Sequence, residues 1–375
     1  MLHPPGAQRK TWAARTFTSA RGSQSRDYFL ASNPERMNIL YAVQGTGNGH
    51  ISRLIEMWPE LSTYGRIDLA VSGTNSQLPF PKAPKWAFKG FSLHYRNKGG
   101  LDYASMLKQV KPVELIRNAL AIKVENYDLV LVDFEPLTAL SCYLKGVPFV
   151  HLGHQASFSS LHAPRPESKQ VLGESILKYF AFSRFNVGFH FQSYEPWILS
   201  PVIPATFWEA EPNDRGHTTI YLPQFGPKEL RKYLVSLQRH RFQVFHPDVL
   251  KDEEDGHISW RRPNKEVFQR SLHDSHAVLT AGGFETPSEA LFLKKKLMVL
   301  PIKGQYEQAC NAAALKSLGV PVISDINIHF GQQVQLWLSQ DIGYQRPEFK
   351  QTRDLVSRAM ALIETNNGSD LTLAF

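Results

Sequence analysis

The 375-residue sequence predicts an α/β protein: two doubly wound, parallel-sheet domains facing each other across a central cleft. Three observations predict it. Short apolar runs alternate with helical periodicity in both halves of the chain, the pattern of parallel strands joined by crossover helices. A glycine-rich turn closes a strand and opens a helix once in each half, at Gly45-Thr46-Gly47-Asn48-Gly49 and at Gly282-Gly283. The length leaves room for two separate cores, and 42% hydrophobic residues fit a globular chain.

Composition narrows the classes. Two cysteines, Cys142 and Cys310, sit in apolar helix patterns and read as reduced core residues, so neither a disulfide framework nor a metal cluster is expected. No apolar run approaches the roughly 20 residues that span a bilayer, and a cytoplasmic location is expected. The net charge is +8, but half of it lies in residues 1–36, which hold six basic residues against Asp27 and Glu35. A nucleic-acid partner is therefore not expected, because basic residues do not concentrate on the folded part. Residues 1–36 lack apolar periodicity and read as a disordered extension that could be deleted without loss of stability.

The first domain is expected over residues 37–195. Met37 to Val43 forms a strand, and a helix starts near Ile51. The glycines between them approach G-x-G-x-x-G, but His50 stands where that dinucleotide fingerprint needs its third glycine. Next come a strand at Ile67–Val71, a Pro-rich loop at Leu78–Lys85, a strand at Phe91–Tyr95 and a helix at Tyr103–Glu125. A strand at Asp128–Val132 ends in Asp133-Phe134-Glu135-Pro136, and a helix to Lys145 and a strand at Val147–His151 follow. In such sheets ligand groups gather at the carboxyl ends of strands, which is where His50, Asp133, Glu135, His154 and Gln155 fall. Leu172 to Phe185, with Tyr179, Phe180, Phe182 and Phe185, reads as the core face of a helix, with weak peripheral membrane contact as the alternative. The last strand of this domain is expected at Val187–Phe191.

The second domain is expected over 196–350, after a segment holding Pro196, Pro201, Pro204 and Pro212 that reads as linker plus the domain's first strand. A strand at Thr218–Leu222 runs into Pro223-Gln224-Phe225-Gly226, followed by a helix at Pro227–Gln238 and a strand at Phe242–Phe245. Lys251–Gly256 reads as a solvated acidic loop. A strand at His257–Trp260, a helix at Asn264–His273 and a strand at Ala277–Leu279 lead to Gly282-Gly283. There the absent Cβ lets backbone N–H groups approach a ligand, and the following helix adds unpaired donors and a positive dipole end, a combination suited to phosphate. Pro287 fits the first helical turn, Glu289 lies within reach of a ribose, and Lys294, Lys295 and Lys296 read as a solvated helix end. Leu297–Pro301 repeats the strand, and Gly304-Gln305-Tyr306-Glu307-Gln308 opens a helix through Asn311. Val320–Val322 is expected as a short strand. Leu355, Val356, Ala359, Leu362 and Ile363 mark an amphipathic helix in the closing segment, 351–375.

The spaced set Gly282-Gly283, Glu289, Pro301, Glu307-Gln308 and Asn311 resembles the GT-B glycosyltransferases. The branch is the one that holds plant and animal UDP-glycosyltransferases and the N-acetylglucosaminyl transferase of peptidoglycan synthesis. The first glycine loop, ending in His50, is similar to that family's cleft loop. The resemblance implies two Rossmann-like domains, with the acceptor on the first and a nucleotide-sugar donor on the second. Donor contacts are then expected from Gly47, Gly49, Gln224, Gly282, Gly283, Phe284, Glu285, Glu289, Gln305, Glu307, Gln308 and Asn311. It also implies hexosyl transfer without a metal, with the nucleotide-sugar as substrate and no cofactor. The retaining branch carries a glutamate eight residues before its partner, whereas Ala281 holds that place before Glu289, so inversion is expected.

Transfer needs a base for the acceptor hydroxyl and dipolar groups for the leaving diphosphate. His50 is the candidate base, oriented by Asp133. Glu135 and His154 are rivals, though Glu135 could cap the helix at Pro136 and His154 could anchor its loop. Glu289 is read as a ribose ligand rather than a surface carboxylate. Glu307 and Gln308 could cap their helix, with donor contact favoured for Gln308. A nucleotide-sugar epimerase of the same fold and an inactive nucleotide-sugar binding module are the alternative functions.

Overall fold

The computed structural model describes residues 37–73, 76, 78–89, 111–168, 170–341 and 343–369. The extension 1–36, the strand expected at Phe91–Tyr95 and the start of the helix expected from Tyr103 lie outside the described residues.

The first unit runs β1 (Met37–Gln44), α1 (Gly49–Leu61), β2 (Gly65–Ser72), β3 (Trp86–Phe88), α2 (Pro112–Ala121) and β4 (Leu129–Asp133). It continues with α3 (Pro136–Lys145), β5 (Val150–Gly153), α4 (Val171–Tyr179), β6 (Phe185–Phe189) and β7 (Ile198–Leu199). These strands form one parallel sheet in the order β3-β2-β1-β4-β5-β6-β7. β1 is central because Ile39 to Val43 are apolar on both faces, and all five are buried. Helix α3 is sharply bounded: Pro136 opens it, and Gly146, at φ +64°, lets the chain leave in the left-handed conformation.

After the short α5 (Ala205–Trp208), the second unit runs β8 (His217–Tyr221), α6 (Pro227–Leu234), β9 (Arg241–Phe245), β10 (Glu253–Asp255), β11 (Ile258–Arg261) and α7 (Lys265–Asp274). Then come β12 (Ala277–Thr280), α8 (Glu285–Phe292), β13 (Lys296–Val299), α9 (Tyr306–Ser317) and α10 (Phe330–Ser339). The sheet order is β10-β11-β9-β8-β12-β13, parallel except at β10. The last helix, α11 (Thr352–Ser369), crosses back to pack on α1 and β6 of the first unit. An apolar cluster joins the units, running from Ile39, Leu54 and Phe207 to Phe284, Leu291 and Leu355.

Several expectations need correction. Ile198–Leu199 pairs with β6 and so extends the first sheet rather than starting the second. Glu253–Asp255 is a strand, because Gly256 at φ +63° turns the chain back along the free edge of β11. Val320–Val322 makes one bridge, Val322 to Val299, since Pro321 has no N–H to extend the ladder. The three lysines do not end a helix: α8 stops at Phe292, Lys294 takes φ +58°, Lys295 is buried with Nζ on Asn213 O, and Lys296 opens β13. Tyr179 and Phe182 are 63% and 38% exposed, so they do not form a core face. Among the described residues no helix is long and apolar enough to cross a membrane.

Candidate active site

The carboxyl ends of β1, β4 and β5 face those of β12 and β13, and the loops between them bring the predicted residues together. Helix α1 begins at Gly49, so His50 lies in its first turn and Arg53 one turn on, over the end of β4. There Asp133 is fully buried. His50 Nδ1 lies 2.8 Å from Asp133 Oδ1. Since a carboxylate only accepts, Nδ1–H donates to Asp133, and in the neutral ring Nε2 keeps the lone pair. His50 itself is partly exposed.

Asp133 is held by more than His50. Arg53 Nε donates to Oδ2 at 3.1 Å, and its Nη2 lies 2.9 Å from both carboxylate oxygens. Burial alone would raise the Asp133 pKa, but Arg53 and then His50 hold it below the usual carboxylate value. The remaining arm of the guanidinium, Nη1, donates to Glu285 Oε1 at the start of α8, so a buried cation links the two units. Burial works against that charge too, yet Asp133 and Glu285 raise the arginine's pKa. Sequence reasoning missed Arg53. The available signal was a charged residue on the apolar side of α1, beside Leu54 and Met57 and three residues after His50.

The turn after Asp133 is strained. Phe134 takes φ +54°, rare for a residue with a Cβ, and it separates two carboxylates with different duties. Glu135 is 1% exposed and accepts from the Leu137 and Thr138 N–H groups at 2.9 and 2.7 Å, and from Ser72 Oγ. It is the N-cap of α3, which removes it from the rivals for base. His154 is also corrected. Its Nδ1 lies 2.9 Å from Phe189 O and its Nε2 2.8 Å from Asn311 Oδ1, and burial pushes its pKa down to about 3. Both nitrogens are taken up inside the protein, so it braces the interface and has no free nitrogen for a substrate.

In the second unit the glycines divide the work. A Cβ on Gly282 would lie 2.9 Å from Gln308 O and 3.0 Å from Pro301 Cβ, whereas one on Gly283 would meet nothing within 4 Å. Gly282 is thus packed against α9, and Gly283 borders open space. Gln308 Oε1 accepts from the Gly282 and Ile302 N–H groups, and Asn311 Nδ2 donates to Gly282 O. The polar contacts of Gln308 Oε1 are therefore with the Gly282 and Ile302 backbone, and those of Asn311 with Gly282 O and His154, a correction to their expected place at the donor. Phe284 is corrected as well: it is 4% exposed and stacks on His154 with ring centroids 3.8 Å apart, a wedge between the units.

Gly47 is exposed at φ +81° with open space around it, and Gly49 abuts the Glu285 carboxylate, which a Cβ would meet at 3.0 Å. Glu307 accepts from Gln155 Nε2 at 3.0 Å, and burial raises its pKa. Glu289 is 8% exposed, and burial, then Glu285 and Glu56, raise its pKa to about 8. It is therefore no surface carboxylate. Gln224 donates to Leu300 O at 3.0 Å. The buried side-chain oxygens of Gln155, Gln224 and Gln305 have no hydrogen-bond partner. A separate cavity of about 650 Å³ lies by β7 and the start of α11, lined in part by His190, Ser200, Arg346, Lys350 and Arg358, and none of the predicted site residues lines it.

The family model described as "Glycosyl transferase family 1" matches residues 37–339. No curated protein matches the chain by sequence. Among solved structures, the glycotransferase of kitacinnamycin is 11% identical at a TM-score of 0.55, over 89% of this chain and 96% of that one. UGT89C1 of Arabidopsis thaliana, complexed with quercetin, is 12% identical at 0.55, over 88% and 93%. The UDP-N-acetylglucosamine 2-epimerase of Rickettsia bellii is 14% identical at 0.53, over 88% and 95%.

Proposed function

The chain belongs to glycosyl transferase family 1 and is a glycosyltransferase of GT-B fold. From that premise we propose that it moves a sugar, with inversion, from a nucleotide-sugar to an acceptor hydroxyl. The donor is a UDP-sugar, and neither metal nor cofactor takes part. The observation that carries the reading is the His50–Asp133 contact at the mouth of the first sheet, facing the glycine turn of the second. His50 Nε2 takes the acceptor proton as the acceptor oxygen attacks the anomeric carbon. The bond from that carbon to the phosphate breaks, and its electrons leave with the diphosphate. Asp133 stabilises the imidazolium. The N-terminus of α8, open on the Gly283 side, holds the developing charge. Glu289 binds the ribose, and the unpartnered oxygens of Gln155, Gln224 and Gln305 accept from sugar hydroxyls.

UDP is preferred because one structural neighbour acts on UDP-N-acetylglucosamine, and a small hydroxylated acceptor because another holds quercetin. Inversion is supported by Ala281 in the place of a second glutamate. Thermal-shift screening against UDP, GDP, dTDP and CMP sugars tests the donor. A ligand at about 100 times its Kd should stabilise by roughly 2.7 kcal/mol. Stabilisation by none of the four would overturn the reading. Release of free, epimerised sugar without any acceptor would assign the epimerase reaction instead.

A further inference from the structure

Arg53 has no assigned duty in the proposed reaction, yet every nitrogen of its guanidinium is used. Nε and Nη2 hold both oxygens of Asp133, and Nη1 reaches across the cleft to Glu285. Nη2 also lies 3.1 Å from His50 Nδ1. Glu285 is the first residue of α8, the helix whose N-terminus faces the diphosphate in the proposed function. A carboxylate there would repel that anion if it stood alone. We propose that Arg53 is a positioning residue shared by both halves of the reaction. It fixes the carboxylate that orients His50, and it masks the Glu285 charge at the start of the donor helix. The inference rests on the proposed transfer from a nucleotide-sugar.

Two consequences separate this role from mere bracing. First, Arg53→Gln unmasks Glu285, so UDP affinity by calorimetry falls about ten-fold. Removing the unmasked charge restores it: Arg53→Gln with Glu285→Gln returns UDP affinity to within about three-fold of the natural chain. Second, orientation of Asp133 stays lost in both variants, so kcat falls roughly 100-fold and is not rescued by the second substitution. The acidic limb of the kcat profile also moves to higher pH, since no cation then opposes an imidazolium beside Asp133.

The test measures UDP affinity, kcat and its pH profile for the natural chain, Glu285→Gln, Arg53→Gln and the double variant, after a melting check. Should Arg53→Gln fail to fold, Arg53→Lys replaces it. An ammonium keeps the charge that masks Glu285 but cannot grip both Asp133 oxygens, so kcat drops while UDP affinity holds. Restored affinity with unrescued kcat supports the proposal. Affinity that stays weak in the double variant, or Arg53 variants with natural kcat and pH profile, overturns it. Absence of UDP binding or sugar transfer by the natural chain marks failure of the proposed function instead, and is seen before any variant is made.

Discussion

At the scale of single residues, the sharpest expectation concerns the base. His50→Ala should lower the transfer rate roughly 100- to 10,000-fold while nucleotide binding to the second unit persists. Asp133→Asn should act in the same direction, because it removes the charge that orients the imidazole. Single-turnover assays with folding verified first decide this, and a near-natural rate for His50→Ala would remove it from the chemistry. Glu289 yields a second expectation, with a definite sign. Unfolded, its carboxyl ionises near 4.5; folded, it holds its proton up to about 8. The folded state thus binds the extra proton between those values, and stability falls as pH rises through that window until the folded group ionises. Glu289→Gln should flatten the decline in melting temperature over the same interval. Neither Arg53 nor the buried state of Glu289 was legible in the sequence, since a helix pattern locates a charged residue on a face without saying what lies opposite.

At the scale of elements, the turn after β12 and the start of α3 can be tested by small changes. Gly282→Ala would drive a Cβ against the Gln308 backbone and Pro301, an overpacking expected to cost about 1–3 kcal/mol. Gly283→Ala meets nothing and should change stability by less than about 0.5 kcal/mol. Urea unfolding of the pair checks the contrast; equal losses would mean that Gly282 is not the packed member. Glu135→Ala removes two hydrogen bonds at the N-terminus of α3 and should cost about 1–2 kcal/mol. Transfer by the molecules still folded should remain near natural; a large fall in kcat would return Glu135 to the chemistry. Both the strand-turn-helix at 279–292 and the cap at 135 were readable as patterns, because propensity and capping act over a few residues. Which glycine faces the cleft was not, because Gln308 and Pro301 meet Gly282 only once α9 packs against the turn after β12.

At the scale of the whole molecule, α11 ties the chain's end to its beginning. Leu355, Val356, Met360 and Ile363 are buried in the cluster that also holds Leu54 and Met57 of α1. Each contributes roughly 1.5–3 kcal/mol by burial, so a chain ending before Thr352 should melt about 10 °C lower or lose its cooperative transition. Calorimetry on the shortened chain checks this. An unchanged transition would mean that α1 keeps its place, and His50 with it, without the crossover.

The sequence by itself determined the two α/β units, the parallel strands and the turns that carry His50, Asp133 and Gly282-Gly283. Periodicity, glycines and caps are local properties, and every central strand had to bury both faces. Only the tertiary structure decided which polar groups meet. His154 turned inward to Asn311, Gln308 turned to brace Gly282, Phe284 became a wedge, and Arg53 found carboxylates from two different units. Those outcomes depend on side chains up to 232 positions apart being brought within hydrogen-bond distance, and no local pattern encodes such a pairing.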